Sequence, residues 1–315
     1  MSNPIDDSKS KRIHLKTIFT FNEDQLVSYY EEVGLFFQGY CLNCQNVMSL
    51  WNDTSKPKAN QKYHCNKCHN VIPKRYGIIF ENMKISFLNF NYILIYYFKG
   101  FTQKEIYSLL EPLANKDISF KTVSKYIKLL RLMIHVEVQQ GLSKLILPGP
   151  VEMDESCIYK IKRGKHGRLA KIIYWVFGLK CRTTGKVIVY PVLYRNRNTI
   201  MPIIQKHVAI GSVVYTDMFS VYFNNRKNPP ESYLKKFGYI HFGINHSKEF
   251  VSKVDSTIHT NTIERTWKAF KRKFRNYKPR KEIEEYISEF IYESWIPKED
   301  RYYFYLDLLK KYHHL

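Results

Sequence analysis

Apolar and polar residues follow two different periods along this chain, and the change falls near residue 150. Before it the spacing is helical. Residues 85–98 are an almost continuous apolar run broken by Asn89 and Asn91. The run is too short and too interrupted for a membrane span and predicts a buried helix. A second helix opens at Phe101-Thr102-Gln103-Lys104-Glu105, with Thr102 as N-cap and Glu105 completing a capping box. Ser119 caps a third, whose apolar positions Val123, Ile127, Leu130 and Ile134 share one face. Residues 141–150, ending in Gly149-Pro150, read as a linker.

Beyond the linker the period shortens to that of strands. Residues 151–155 form a short strand. Residues 172–179 and 187–193 are β-rich runs on either side of the turn signal Thr184-Gly185. Residues 199–208 are helical, 212–215 make a strand ending at Asp217, and 259–276 and 281–294 are two helices split by Pro279. Strands followed by mixed elements predict an α/β core, one sheet flanked by helices. The expected organisation is a basic lead-in (1–34), a cysteine-bearing unit (35–80), a helical region (81–145), the α/β domain (151–296) and a C-terminal tail (297–315). No internal repeat and no low-complexity segment is present.

Charge narrows the choice of partner. The chain of 315 residues carries 50 Lys and Arg against 28 Asp and Glu, a formal net charge of +22. Such an excess favours nucleic acid, because each phosphate contact releases a condensed counterion. An acidic membrane surface is the competing partner, but no basic helix with a clean apolar face supports it. The first sixteen residues are polar and charged, without the apolar core of a signal peptide. The chain is therefore expected not to be secreted, and to sit in the nucleus of a eukaryotic host or in the cytoplasm or nucleoid otherwise.

Four of the six cysteines form two tight pairs, Cys41-x2-Cys44 and Cys65-x2-Cys68, twenty residues apart. Two such knuckles complete a tetrahedral thiolate site, so these four predict a structural Zn²⁺ ribbon. Tyr40, Trp51, Tyr63 and Tyr76 flank it, as suits a metal-stapled unit with little core of its own. His64 and His69 could each replace a cysteine as ligand. The bland alternative is four unrelated thiols, and a ribbon can dock on protein as well as on DNA. Cys157 and Cys181 lack partners in this pattern and read as structural.

The capped helices of 81–145 match a helix-turn-helix whose last helix enters the major groove, with Lys121, Lys125, Lys128 and Arg131 lying largely off its apolar face. A plain helical bundle with solvated lysines is the alternative. The total charge favours DNA.

Carboxylates supply the candidate chemistry. In Val151-Glu152-Met153-Asp154-Glu155, period two sets Glu152 and Asp154 on one face and Glu155 on the other. The strand Val213-Val214-Tyr215-Thr216-Asp217 also ends in a carboxylate. On the helix opening at His259-Thr260-Asn261-Thr262-Ile263-Glu264, residues Asn261, Glu264, Lys268 and Lys271 fall on one stripe, since seven residues return to within about 20° of the start. Clustered carboxylates hold Mg²⁺ or Mn²⁺, and two such ions can serve a phosphodiester displacement while the lysines hold the backbone. Taken singly, an aspartate at a strand end is often a cap and a Glu–Lys pair a solvated salt bridge. The combination is more specific. His241, His246 and His259 are lone histidines, more often structural than catalytic. The basic run 160–168, with Arg163, Lys165 and His166, is either a solvated loop or a DNA clamp beside the site.

Residues 151–295 resemble the transposase domain of the Merlin superfamily and its bacterial insertion-sequence relatives. The resemblance rests on Val151 to Glu155, Trp175-Val176-Phe177-Gly178, Tyr215-Thr216-Asp217, Gly238-Tyr239 with His241, Asn245-His246-Ser247 with Phe250-Val251, and His259 to Glu264 with Trp267, Lys271 and Arg272. The His259 to Glu264 run is the most specific part, and the zinc ribbon followed by a helix-turn-helix is similar to the front end of that family. The resemblance implies an RNase H-like DDE fold that cleaves double-stranded DNA at the terminal inverted repeats of a mobile element and joins it to target DNA. It implies Asp154 and Asp217 as the first two metal ligands, with Glu264 or Asn261 as the third; a charged carboxylate is the better ligand and favours Glu264. A homodimer or larger synaptic assembly follows from the need to pair two ends. The stretch Leu179-Lys180-Cys181-Arg182 departs from the pattern, since relatives often carry an acid there, and this departure is not expected to touch catalysis. A transposase-derived DNA-binding protein without catalysis is the alternative function, and an RNase H-like repair or recombination nuclease is another.

Overall fold

The computed structural model describes residues 12–36, 39–51, 57, 60–113, 118–163, 170–224, 230–244, 258–274 and 283–312, with the backbone alone for 159–163 and 170–173. In chain order the elements begin with α1 (Leu15–Ile18), α2 (Glu23–Glu32), β1 (Met48–Trp51), β2 (Lys62–Cys65), β3 (Val71–Pro73), α3 (Phe87–Phe98), α4 (Gln103–Leu110) and α5 (Phe120–Lys144). There follow β4 (Val151–Arg163), β5 (Ala170–Cys181), β6 (Val187–Val192), α6 (Arg197–His207), β7 (Val213–Asp217), β8 (Phe223–Asn224), β9 (Glu231–Ser232), β10 (Ile240–Ile244), α7 (Asn261–Lys273), α8 (Ile283–Trp295) and α9 (Arg301–Lys311). Two compact units result, Met1–Met133 with Lys298–Leu315, and Ile134–Pro297.

In the first unit the helices start where side chains can satisfy free N–H groups. Asn22 and Gln25 form a capping box on α2, and Thr102 and Glu105 form the expected one on α4. Glu23 reaches across to accept from the N–H groups of Phe87 and Leu88 at 2.7 and 2.9 Å, placing a carboxylate on the positive end of α3. Asn91, which interrupts the apolar run of α3, is buried and accepts from Tyr30 and Tyr302 hydroxyls at 3.0 and 2.7 Å. The asparagine thus joins α2, α3 and α9 through one buried polar node. No helix among the described residues is long and apolar enough to cross a membrane.

The second unit is a five-stranded mixed sheet flanked by helices, in the order β10-β7-β4-β5-β6. β4, β5 and β6 pair antiparallel, whereas β7 and β10 run parallel to β4. Two details differ from the sequence reading. Residues 160–163 extend β4 instead of lying in a loop, and the residues 141–144 expected in a linker are the last turn of α5. Gly141 permits the latter: a Cβ there would lie 2.7 Å from the Trp295 ring, which packs on α5 at that point.

Candidate functional site

The parallel pairing of β4 and β7 sets Val151 beside Val214 and Glu152 beside Tyr215. The paired residues end there; continued by two residues, the same register would set Asp154 opposite Asp217, on strands about 4.8 Å apart. Glu264, in the first turn of α7, joins them. The Asp154 carboxyl is pushed up to about 7 by burial first, then by the charge of Asp217 and, more weakly, that of Glu264, against the Trp267 indole and the Glu155 N–H. Asp217 and Glu264 therefore both lie within electrostatic reach of Asp154. Asp154, Asp217 and Glu264 are each half-buried, and carboxylates that repel one another in this way suit a divalent cation that would draw them together. Asn261 opens the same turn and, like Glu264, is half-buried. Asp217 is oriented by the N–H of Phe219, which donates to its Oδ1 at 3.0 Å.

The helix carrying Glu264 is held by side chains whose role the sequence reading did not foresee. Glu152 is fully buried and accepts from the N–H of Ile263 at 2.7 Å, capping α7, and from Arg182 Nε at 2.7 Å. Arg182 also donates to the His259 carbonyl at 2.6 Å and lies flat over the Tyr215 ring, 4.0 Å from its centroid. The basic departure from the family pattern is thus the counter-charge that anchors the start of α7. One turn along, Trp267 Nε1 donates to Asp154 Oδ2 at 2.8 Å. Gly178, opposite Asp154 in the β4–β5 register, makes room for this indole: a Cβ there would lie 2.5 Å from the ring. Glu152 was legible as the face-mate of Asp154. Gly178 and Trp267 were legible as pattern residues, but not as a pair.

Glu155 occupies the opposite face of β4. It accepts from the Tyr222 hydroxyl, and its carboxyl is raised to about 7 by burial, with the charges of Asp154 and Asp217 adding. His241 is buried between Ser232 Oγ at 2.6 Å and Thr216 Oγ1 at 2.8 Å, and burial holds it down near 4. It is a neutral hydrogen-bonding core residue, next to the strand end that bears Asp217. His259 is tied to Arg182 and Glu152. Lys268, Lys271 and Arg272 are exposed on α7. Arg163 lies on β4 with only its backbone described, and Lys165, His166 and His246 lie outside the described residues.

In the first unit, Cys41, Cys44, Cys65 and Cys68 bring their Sγ atoms within 4.8 Å of one another. The Cys41–Cys68, Cys44–Cys65 and Cys44–Cys68 separations of 3.3, 3.5 and 3.5 Å are close to the ~3.8 Å that a tetrahedral zinc with 2.3 Å bonds requires. The two knuckles are built alike. Gln45 and His69 take the left-handed conformation at equivalent places, and their N–H groups donate to the carbonyls of Cys41 and Cys65. His69 is thus a turn residue, and His64 hydrogen-bonds Asn66. The four thiols could hold a structural zinc.

On α5 the residues Val123, Ile127, Leu130 and Ile134 are buried as expected, and Lys121, Lys125 and Lys128 are exposed along one side. Arg131 differs, being buried, so the basic stripe stops at Lys128. A comparison with curated proteins yields no match. Residues 146–294, which include Asp154, Asp217, Glu264 and the whole five-stranded sheet, match the ISXO2-like transposase domain, and this match supports an insertion-sequence transposase family for that part of the chain.

Proposed function

We propose that this chain is a DNA transposase of the DDE type, with Asp154, Asp217 and Glu264 as the ligands of Mg²⁺ or Mn²⁺. What supports this reading is the parallel β4–β7 register, which continued by two residues sets Asp154 opposite Asp217, together with the charges of Asp217 and Glu264 felt at Asp154 and the anchoring of α7 on Glu152 and Asp154. The strand order and directions support an RNase H-like core. The order of ribbon, helix-turn-helix and catalytic core supports kinship with the Merlin superfamily.

Bound divalent ions supply a polarised phosphodiester and an acidified attacking hydroxyl or water. The protein's own residues do the rest. Trp267 fixes the rotamer of Asp154, Phe219 N–H fixes Asp217, and Glu152 with Arg182 sets the depth of α7 and so of Glu264. Lys268, Lys271 and Arg272, with Arg163 and Lys165, hold the backbone of the element's terminal inverted repeats and of the target. Lys121, Lys125 and Lys128 read a groove from α5, with the zinc ribbon beside them in the chain. Two chains pair two ends.

The test is Mg²⁺- or Mn²⁺-dependent nicking of the element's repeat ends by the purified chain. Asp154→Asn and Asp217→Asn should each lower it by at least about a hundredfold while DNA binding persists. Unchanged nicking in either variant sinks the assignment. Binding without any nicking by the parent chain identifies the second reading, a transposase-derived DNA-binding protein.

A further inference from the structure

The segment between β6 and α6 shows two large apolar side chains to solvent beside the carboxylate centre. Leu193 is 86% exposed and Tyr194 68%. Exposed apolar residues at a loop tip are ordinary when the loop is loose, but this one is pinned at its base. Arg197 donates from Nε to the Val221 carbonyl at 3.0 Å and from Nη2 to the Ser220 and Phe223 carbonyls at 2.8 Å each. Asn196 caps α6 through the Thr199 N–H at 3.0 Å. Arg195 stacks on Trp175, its guanidinium carbon 3.6 Å from the ring centroid, and lies 5.1 Å from that of Phe219. Phe219 is the residue whose N–H orients Asp217, and the charge of Arg195 reaches Glu155. The tip is therefore held in a fixed place beside the acids.

Charge indicates what meets this tip. No Asp or Glu occurs between Glu155 and Asp217, while Arg195 and Arg197 lie within the segment itself. A polyanion fits a tip flanked by Arg195 and, at the start of α6, Arg197, on a stretch of chain that carries no acid of its own. We infer that Leu193 and Tyr194 form a wedge that stacks on unpaired nucleobases next to the scissile phosphate, with Arg195 holding the adjoining backbone. Aromatic rings stack on any base, and apolar side chains inserted at a base step open it. The inference rests on the transposase reading for its ligand, DNA, but not for its readout.

The probe is a short labelled duplex of arbitrary sequence, compared with the same duplex carrying a short unpaired bubble, both titrated with the full chain without added Mg²⁺ or Mn²⁺. The parent chain should bind the bubble about tenfold more tightly than the duplex. The Leu193→Ala/Tyr194→Ala double variant should keep the duplex affinity and lose the preference, and Tyr194→Phe, which keeps the ring, should retain it. Both residues are solvent-exposed, so folding is spared. Absence of a preference in the parent, or its survival in the double variant, overturns the inference. A double variant that changes its sedimentation behaviour yet keeps the preference also overturns it and identifies a protein interface instead. Nicking reports separately: a chain that prefers the bubble but never nicks refutes the transposase reading alone.

Discussion

Substituting Gly178→Ala tests how the site is held together. The added methyl would lie 2.5 and 2.6 Å from two carbons of the Trp267 ring and 3.5 Å from the Ile263 side chain. Carbon atoms at rest sit at about 3.5–4.0 Å, so the indole has to retreat by about 1 Å. It is rigid and only 5% exposed, which leaves displacement of α7 as the way out. Overpacking of this kind costs about 1–3 kcal/mol, and losing the bond from Trp267 Nε1 to the Asp154 carboxylate adds about 1.5–3 kcal/mol. A total of roughly 2.5–6 kcal/mol should appear as faster hydrogen exchange of the β5 amides, which reads the opening of this unit. Glu264 rides on the same helix, and a shift of about 1 Å at a reacting centre costs about a hundredfold in rate, so nicking should fall with stability. A double-mutant cycle isolates the cause. In a Trp267→Leu background the methyl has room, and Gly178→Ala should cost about 0.5–3 kcal/mol less than in the parent. Equal costs in the two backgrounds would refute the clash and with it the proposed seating of Asp154.

Three further outcomes are expected. Arg182→Met leaves Glu152 buried without its counter-charge and should destabilise this unit by about 3–5 kcal/mol in urea titration, whereas Glu152→Gln with Arg182→Met should recover part of that loss. His241 is held near 4, below the ordinary 6.5, so the unfolded chain binds more protons between those values; stability should drop as pH falls from about 6.5 to 4, by on the order of 3 kcal/mol, and His241→Gln should flatten that slope in pH-dependent urea titrations. Elemental analysis should find one zinc per folded chain, lost in Cys65→Ser, with β1–β3 then exchanging as unprotected amides; a metal-free chain with a protected ribbon excludes the zinc site.

What could be read from the chain alone follows a physical division. Local signals were legible because they act over a few residues. The capping box at Thr102 and Glu105 and the knuckle spacing of the cysteines fall where those short-range rules place them, and the helix expected over 259–276 is found, two residues shorter at its start, at Asn261–Lys273. Period two in Val151 to Glu155 also carries through, with Glu152 and Asp154 reaching α7 and Glu155 turning to Tyr222. Arg131 was misplaced on the basic stripe because helical spacing gives an angle but not the depth of the neighbouring elements.

Apart from the Phe219 N–H on Asp217, the contacts that position the candidate acids belong to the illegible class, since each joins residues far apart in the chain. Glu152 and Ile263 are separated by 111 positions, and Asp154 and Trp267 by 113. Nothing local marks an arginine at 182 as the partner of a glutamate at 152, and its place after β5 reads equally well as surface charge. The consequence is specific to the third ligand. The main chain of Asp154 and Asp217 follows from the β4–β7 pairing just before them, and only their carboxylate rotamers lean on Trp267 and the Phe219 N–H. Glu264 is placed by a helix lying across the sheet, and its depth depends on Glu152, Arg182, Gly178 and Trp267 together. Substitutions at Glu152 and Arg182 should therefore disturb Glu264 before they disturb the aspartate pair, whereas those at Gly178 and Trp267 should disturb Glu264 and Asp154 together, and the proposed choice between Glu264 and Asn261 as ligand turns on how deep α7 sits.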